Sequence, residues 1–230
     1  AQLLKANLRS TAEGLLETGT TWLHPEKLEA LTVRFSGLEH LDRAKNDPGI
    51  LILGMHFATL DLAGALLSRQ KPFNVMYKTN KNPVLEWLMQ RGRGHHFNQV
   101  IDQHNIRGVI KSLKAGNRLW YAPDQDYGSQ NAVFAPFFGS QAATTTAANR
   151  IARLTGAKVV FMSHYRHTDG SYSVVIKAPD APFPTESDLH DASLINRHIQ
   201  DAICTAPEQY WWVHRRFKSA EHGSTTLYET

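Results

Sequence analysis

Cysteine is almost missing from this sequence: Cys204 stands alone among 230 residues. No internal disulfide can form, which favours a reducing or cytoplasm-facing location. A long hydrophobic run is missing too. Nothing approaches the ~20 consecutive apolar residues that span a bilayer, and the longest uncharged apolar stretch, Gly49 to Phe57, has the length of a buried strand. This chain is therefore not expected to cross a membrane by itself. It begins with Ala1 rather than Met, in what reads as the middle of a helix, so the natural protein is expected to extend upstream, where any anchor or targeting segment would lie.

Charge of one sign is also scarce. With 25 Lys+Arg against 21 Asp+Glu, the net charge is +4. That mild excess admits phosphorylated lipid, acidic protein, nucleic acid or a membrane surface as partner and selects none of them. Internal repeats, interdomain linkers, a Gly-x-Ser-x-Gly elbow, a Walker loop, a dinucleotide fingerprint and a His-Glu-x-x-His helix are all absent. What is present is core-forming material: five Trp, ten Phe and seven Tyr, with 42% apolar residues overall. Disorder and collagen-like structure are excluded, and the expectation is one domain over residues 1–230.

Leu3, Leu4, Leu8, Leu15 and Leu16 space out as an amphipathic helix ending near Thr18-Gly19, whose apolar stripe is expected to pack on the domain. Gly49-Ile-Leu-Ile-Leu-Gly54 is continuously apolar and Gly-bounded, the pattern of a strand buried on both faces. Helix and strand patterns then alternate: Thr59–Arg69 helix, Phe73–Tyr77 strand, Pro83–Arg91 helix, Asn98–Ile101 short piece, Ile106–Lys114 helix and Arg118–Tyr121 strand. This alternation predicts an α/β fold with a mixed, largely parallel central sheet flanked by helices. Residues 122–143 read as a long aromatic-rich loop. Beyond it come a Thr144–Leu154 helix, a hairpin of Lys158–His167 and Tyr172–Lys177 around Asp169-Gly170, and an Ala192–Thr205 helix.

Three constellations carry candidate chemistry. His56 stands past the carboxyl end of the buried strand, where open α/β sheets place ligand sites, and Asp61 lies in the first turn of the next helix. In continuous helix five residues turn by roughly 500°, about 140° net, so the two meet only if the chain turns between them. Asp61 would then orient the imidazole for general-base work. The bland alternative is a satisfied buried histidine and a helix-start acid favoured by the dipole. The second constellation, Trp120 to Gly128, carries Asp124 and Asp126 and leads to Phe134, Phe137 and Phe138. The acids could ligate a metal or orient basic groups, and the aromatics form an apolar wall suited to a hydrocarbon tail. The third is Arg91-Gly92-Arg93-Gly94, read as an Arg in a Gly-flanked turn that can reach a phosphate or oxyanion, together with the aromatic-basic block from Pro207 to Lys218 containing Arg215 and Arg216. Surface charge is the commoner role for any single Arg, and the terminal block also reads as an interfacial segment or a single-strand nucleic-acid platform. Cys204 falls inside a helix and reads as core. His95, His96 and His104 lack acidic or Cys neighbours at ligand spacing.

In combination, Gly54-Met-His-Phe-Ala-Thr-Leu-Asp61, Asn82-Pro83 with Glu86-Trp87 and Arg91-Gly92-Arg93, Trp120 through Gly128, Val133-Phe134 with Pro136 and Phe138, Ala142 through Thr146 and Ala206 through Lys218 resemble the late (lauroyl/myristoyl) acyltransferases of bacterial lipid A and lipopolysaccharide assembly. The resemblance implies a glycerol-3-phosphate-acyltransferase-like αβα sandwich without cofactor or metal. It implies transfer of a fatty acyl chain from acyl carrier protein to a hydroxyl on an acyl chain of a lipid A precursor such as Kdo2-lipid IVA or its mono-acylated product. His56 would be the general base and Asp61 its orienter, with no covalent intermediate. Arg93 would contact a phosphate or oxyanion, Asp124 would hold the site, and Asp126, Arg215 and Arg216 would bind substrate. Phe134, Phe137 and Phe138 would form the acyl channel. Asp61 stands where many members have Glu. The family's N-terminal membrane-anchor helix is missing from this sequence, and the expected location is the cytoplasmic face of the inner membrane, with no nucleic-acid partner. Two other readings remain: a metal-dependent glycosyltransferase using Asp124 and Asp126, and a non-enzymatic module binding anionic lipid or nucleic acid through the Arg215-Arg216 segment.

Overall fold

The computed structural model describes residues 1–219 and residue 228; the remainder of the expected 1–230 domain lies outside the described residues. A seven-stranded sheet forms the middle layer. Its centre is β2 (Ile50–Leu53), which pairs in parallel with β5 (Arg118–Tyr121) on one side and β8 (Lys158–Arg166) on the other. β3 (Asn74–Tyr77) and β4 (Val100–Asp102) extend the β5 edge in parallel. On the other side β9 (Tyr172–Lys177) pairs with β8, and β1 (Val33–Ser36) closes that edge. Only the β8–β9 contact is antiparallel, through the turn at Asp169-Gly170, so the sheet is mixed and largely parallel, as the alternating pattern predicts.

All four β2 side chains are buried, and because successive residues of a strand point to opposite faces, they serve two layers. Leu51 and Leu53 pack with Val109 and Leu113 of α4 (Ile106–Lys114), Ile151 of α5 (Ala147–Thr155) and Ile195 and Ile199 of α6 (Asp188–Thr205). Ile50 and Ile52 pack with Phe73 and with Ala63 and Leu67 of α2 (Leu60–Gln70). α3 (Pro83–Gly94) starts on Pro83 behind an Asn82 side chain that accepts from the Val84 and Leu85 amides, a capped N-terminus.

Several expectations change on folding. Residues 132–145 are not loop: β6 (Ala132–Phe137) and β7 (Ser140–Thr145) form an antiparallel hairpin that packs on α6. Its two-residue turn, Phe138-Gly139, has both residues at positive φ, 48° and 77°. Such turns usually advertise themselves as Asn-Gly or Asp-Gly, and Phe-Gly does not. Because β7 runs to Thr145, α5 begins at Ala147 rather than Thr144. The Arg91–Gly94 segment is the last turn of α3 and not a Gly-flanked turn. The final helix starts at Asp188, capped by Ser187, four residues before Ala192.

The first helix, α1 (Gln2–Leu23), runs past Gly19 and is turned the opposite way from expectation. Its buried residues are Asn7, Ser10, Gly14 and Thr21, whereas Leu4, Leu8, Leu15, Leu16 and Leu23 are 60 to 74% exposed. Close approach and hydrogen bonding decide the orientation. A Cβ on Gly14 would lie 2.5 Å from the Ala58 carbonyl oxygen, the Asn7 amide donates to the Glu208 and Tyr210 carbonyls, and Arg166 donates to the Ser10 hydroxyl and carbonyl. Leucines cannot occupy that seam, so the apolar stripe faces outward. Among the described residues no helix is long and apolar enough to cross a membrane.

Candidate active site

Strand register assembles the site. Leu53 of β2 lies beside Tyr121 of β5 and Phe161 of β8; three residues further along each chain come His56, Asp124 and His164. The step leaves His56 between a carboxylate on one side and a second histidine on the other. Gly54 allows the tight exit from β2, since a Cβ there would sit 2.3 Å from the Trp120 indole nitrogen. The segment is held from above by the chain after α6: Trp211 N–H donates to the His56 carbonyl and Ala58 N–H to the Gln209 carbonyl.

Asp124 is fully buried and faces His56 with both oxygens. One accepts from the His56 backbone N–H at 2.8 Å and the other from ring Nδ1 at 2.7 Å. With Nδ1–H committed to the carboxylate, Nε2 is the free nitrogen of a ring that is 27% exposed. Desolvation works against charge on the imidazole, but the Asp124 charge and hydrogen bond outweigh it and raise its pKa above the ordinary histidine value. Burial likewise pushes the Asp124 carboxyl up, and the His56 ring and amide reverse this and hold it below the usual carboxylate range.

Asp61 does not take the imidazole N–H as expected. Its carboxylate receives Arg93 through Nε at 2.8 Å and Nη2 at 3.2 Å, and the Trp22 indole N–H at 3.3 Å. It thereby ties α2, α3 and α1 together beside His56, with Gly92 allowing Trp22 to pack against the α3 backbone. The reason is geometric: His56 precedes α2, and the neighbouring parallel strand already delivers Asp124. Arg93 is correspondingly committed to Asp61, with only Nη1 left over among its described bonds.

The imidazole, Asp61 and Arg93 line a cleft of about 280 Å³ whose walls are Leu60, Gly64, Phe73, Phe97, Trp120 and Met162 among others, with Lys78 at its edge. Phe134, Phe137 and Phe138 are not in its lining. Phe137 is buried in the core, Phe138 sits on the exposed hairpin turn, and the hairpin carrying all three packs on α6. Asp126 accepts from the Gly128 amide and from the Ser219 amide and hydroxyl, closing a loop whose neighbours Gln125 and Tyr127, and not Asp126 itself, line the cleft. Asp124 and Asp126 thus serve different partners, and among the described residues no group of three or more His, Cys, Asp or Glu converges as metal ligands. Arg216 is buried, donating to the Ala143 carbonyl, the Thr144 hydroxyl and Asn196 Oδ1, and braces the hairpin on α6. Arg215 is exposed and stacks over Tyr228.

Some parts of the site have no counterpart in the sequence reading. His164 is completely buried, with Nδ1 2.7 Å from the Thr59 hydroxyl at the start of α2. Burial drives its pKa down to about 4, so it is neutral beside His56. Strand adjacency would have found it, as it would have found the His56–Asp124 bond. The apolar cleft walls come from five separate segments and leave no local signal.

A histidine oriented by a buried carboxylate, at the carboxyl ends of parallel strands and the mouth of an apolar cleft, is the site of an α/β enzyme suited to a substrate with a polar head and a hydrocarbon tail. The pattern that defines the bacterial lipid A biosynthesis acyltransferases matches residues 1–219. The chain is 37% identical to the lipid A biosynthesis lauroyltransferase and 35% identical to the lipid A biosynthesis palmitoleoyltransferase of Escherichia coli, in each case over 99% of this chain and 75% of the relative. A solved 1-acyl-sn-glycerophosphate acyltransferase from Thermotoga maritima aligns at TM-score 0.45 and 15% identity, over 89% of this chain and 87% of that one. The chain belongs to the bacterial lipid A biosynthesis acyltransferase family, and it is a lipid A acyltransferase.

Proposed function

We propose that this enzyme transfers a fatty acyl group from an acyl carrier protein thioester to a hydroxyl on an acyl chain of a lipid A precursor, with His56 as general base and Asp124 as its orienter. The His56–Asp124 hydrogen bond at the mouth of the cleft carries this reading. The acceptor hydroxyl gives its proton to Nε2 as its oxygen attacks the thioester carbonyl. The tetrahedral oxyanion then collapses, the carbon–sulfur bond breaks, and the proton on Nε2 passes to the departing thiolate. The new ester bond replaces the thioester and His56 returns to its starting state. Asp124 keeps Nδ1 protonated and balances the imidazolium that forms in between. Because the thioester is already activated, deprotonation and positioning are the tasks left to the protein, and no acyl-enzyme is needed. Asp61 acts on this site through Arg93, fixing the guanidinium in the cleft wall where the oxyanion develops.

The donor reading is supported by Lys78, an exposed basic residue lining the cleft, which suits an acidic carrier. Peripheral attachment to the membrane that holds the lipid acceptor is supported by the outward leucines of α1. A transferred chain of the fatty-acyl class is supported by the lauroyl and palmitoleoyl groups in the relatives' names. The test is transfer of a labelled acyl group from carrier-protein thioester to a detergent-dispersed lipid A precursor. His56→Gln should reduce the rate at least a thousandfold while the protein stays folded, and chelators should leave it unchanged. Retention of most activity in that variant would refute the base assignment.

A further inference from the structure

The acyl transfer proposed above brings two hydrocarbon chains to one base: the chain being transferred, and the acyl chain that bears the receiving hydroxyl. The site has two apolar recesses, and they meet at His56. The first is the cleft running to Phe73, Phe97 and Met162. The second, of about 210 Å³, lies on the α1 side and is lined by Gly14, Leu15, Thr18 and Trp211 as well as by His56, Leu60 and Asp61. His56, Leu60 and Asp61 are the residues common to both.

We propose that this second groove, between α1 and Trp211, is the subsite for the hydroxyl-bearing acyl chain of the lipid acceptor. The assignment rests on the reading of His56 as the base. The two recesses differ in what surrounds them. The first is lined by the buried rings of Phe73 and Phe97 and by buried Met162, core residues that suit a chain held inside the protein. Its edge carries Lys78, complementary to an acidic carrier. The second opens instead along α1, where Leu15 is both part of the groove and part of the exposed stripe of Leu4, Leu8, Leu16 and Leu23. On the far side of Trp211, Trp212 and Val213 are also exposed. A chain leaving a lipid layer against these residues reaches His56 without crossing water, because the groove continues the apolar surface inward.

The inverted orientation of α1 is what builds the groove. Gly14 lies against Ala58 so closely that no side chain fits, which brings Leu15 and Thr18 to the rim beside the catalytic turn. A helix packed on its leucines would bury that rim and leave nothing for a lipid chain to meet.

Steady-state kinetics with the two substrates varied separately test the assignment. Thr18→Trp fills the groove from its rim, and Leu15→Ser makes its exposed wall polar without touching the protein interior. Both should raise KM for the lipid acceptor, by tenfold or more for Thr18→Trp and about threefold for Leu15→Ser. KM for the acyl donor and the preference among donor chain lengths should stay within twofold of the parent. Gly64→Ala, whose Cβ would come 3.0 Å from the Phe97 ring in the other cleft, should do the reverse, raising KM for long donors and leaving the acceptor alone. An unchanged acceptor KM in both groove variants, or a change in donor preference instead, overturns the assignment; if Thr18→Trp fails to fold, Leu15→Ser decides. The base assignment fails separately, through an active His56→Gln enzyme.

Discussion

Replacing Asp124 with Asn keeps the shape of the side chain and removes its charge, which makes it the sharpest probe of the catalytic role proposed for the His56–Asp124 pair. The carboxylate accepts two N–H groups of His56, the amide at 2.8 Å and Nδ1 at 2.7 Å. An Asn side chain offers one acceptor and one donor group. If its oxygen stays with the backbone amide, its NH₂ faces Nδ1, the ring must carry its proton on Nε2, and the base is blocked. If it flips, NH₂ meets the backbone N–H and the segment is pushed apart. The charge-assisted bond alone is worth about 1.5–3 kcal/mol, and the wrong tautomer brings the expected loss to about 4 kcal/mol, roughly a thousandfold in kcat. The pH profile adds a second reading. In the parent the base is active only above a pKa raised by Asp124, so the rate falls as pH drops through a point above the ordinary histidine value. Without the carboxylate, burial dominates and that limb moves to lower pH. Asp61→Asn should lower the rate by loosening Arg93 and move the acid limb down by less than Asp124→Asn does, because the Asp61 charge raises the imidazole pKa less than the Asp124 contact. Transfer rates between pH 5.5 and 9, with circular dichroism as the fold check, decide the matter. An Asp124→Asn enzyme within tenfold of the parent and with an unmoved limb would refute the argument.

Two more outcomes follow from buried groups. His164 is neutral in the folded protein with a pKa of about 4. As pH falls below about 6.5 the unfolded chain takes up a proton that the folded chain refuses, and by pH 4 this should remove about 3 kcal/mol of stability. In His164→Gln that acid-dependent loss should be smaller by about 3 kcal/mol between urea titrations at pH 7 and pH 4, and equal pH dependence in the two proteins would rule the effect out. Arg216→Met should strip the donor from the Ala143 carbonyl, Thr144 and Asn196, lowering stability by about 2–4 kcal/mol with a lower Tm. The remaining folded enzyme should show an unchanged KM for the lipid acceptor, which a phosphate-binding Arg216 would not.

The Gly49–Gly54 run announces a strand buried on both faces, and the alternation around it announces the sheet, because both signals are local and periodic. His56 is legible for the same reason, as the residue beyond that strand. Its partner is not, because nothing near position 56 in sequence says that β5 will lie next to β2; only that adjacency carries Asp124 past Asp61 as the imidazole's neighbour. The same limit hides the cleft, whose walls are gathered from distant segments, and the three Phe residues look like a channel until the turn at Phe138-Gly139 folds their segment into a hairpin on α6. In α1 the leucine period announces a helix and leaves open which way its stripe faces. Periodicity gives a face, while Gly14 and Asn7 determine which face meets the protein.

The stitching of residues 209–219 across the site bears on the order in which the enzyme comes into being. Gln209 and Trp211 bond the backbone on either side of Phe57, and Ser219 closes the Asp126 loop. A ribosome makes these residues after every strand of the sheet. The wall over the His56 turn is thus made later than every strand that positions His56 and Asp124, and the site is completed by residues that are synthesised after the sheet.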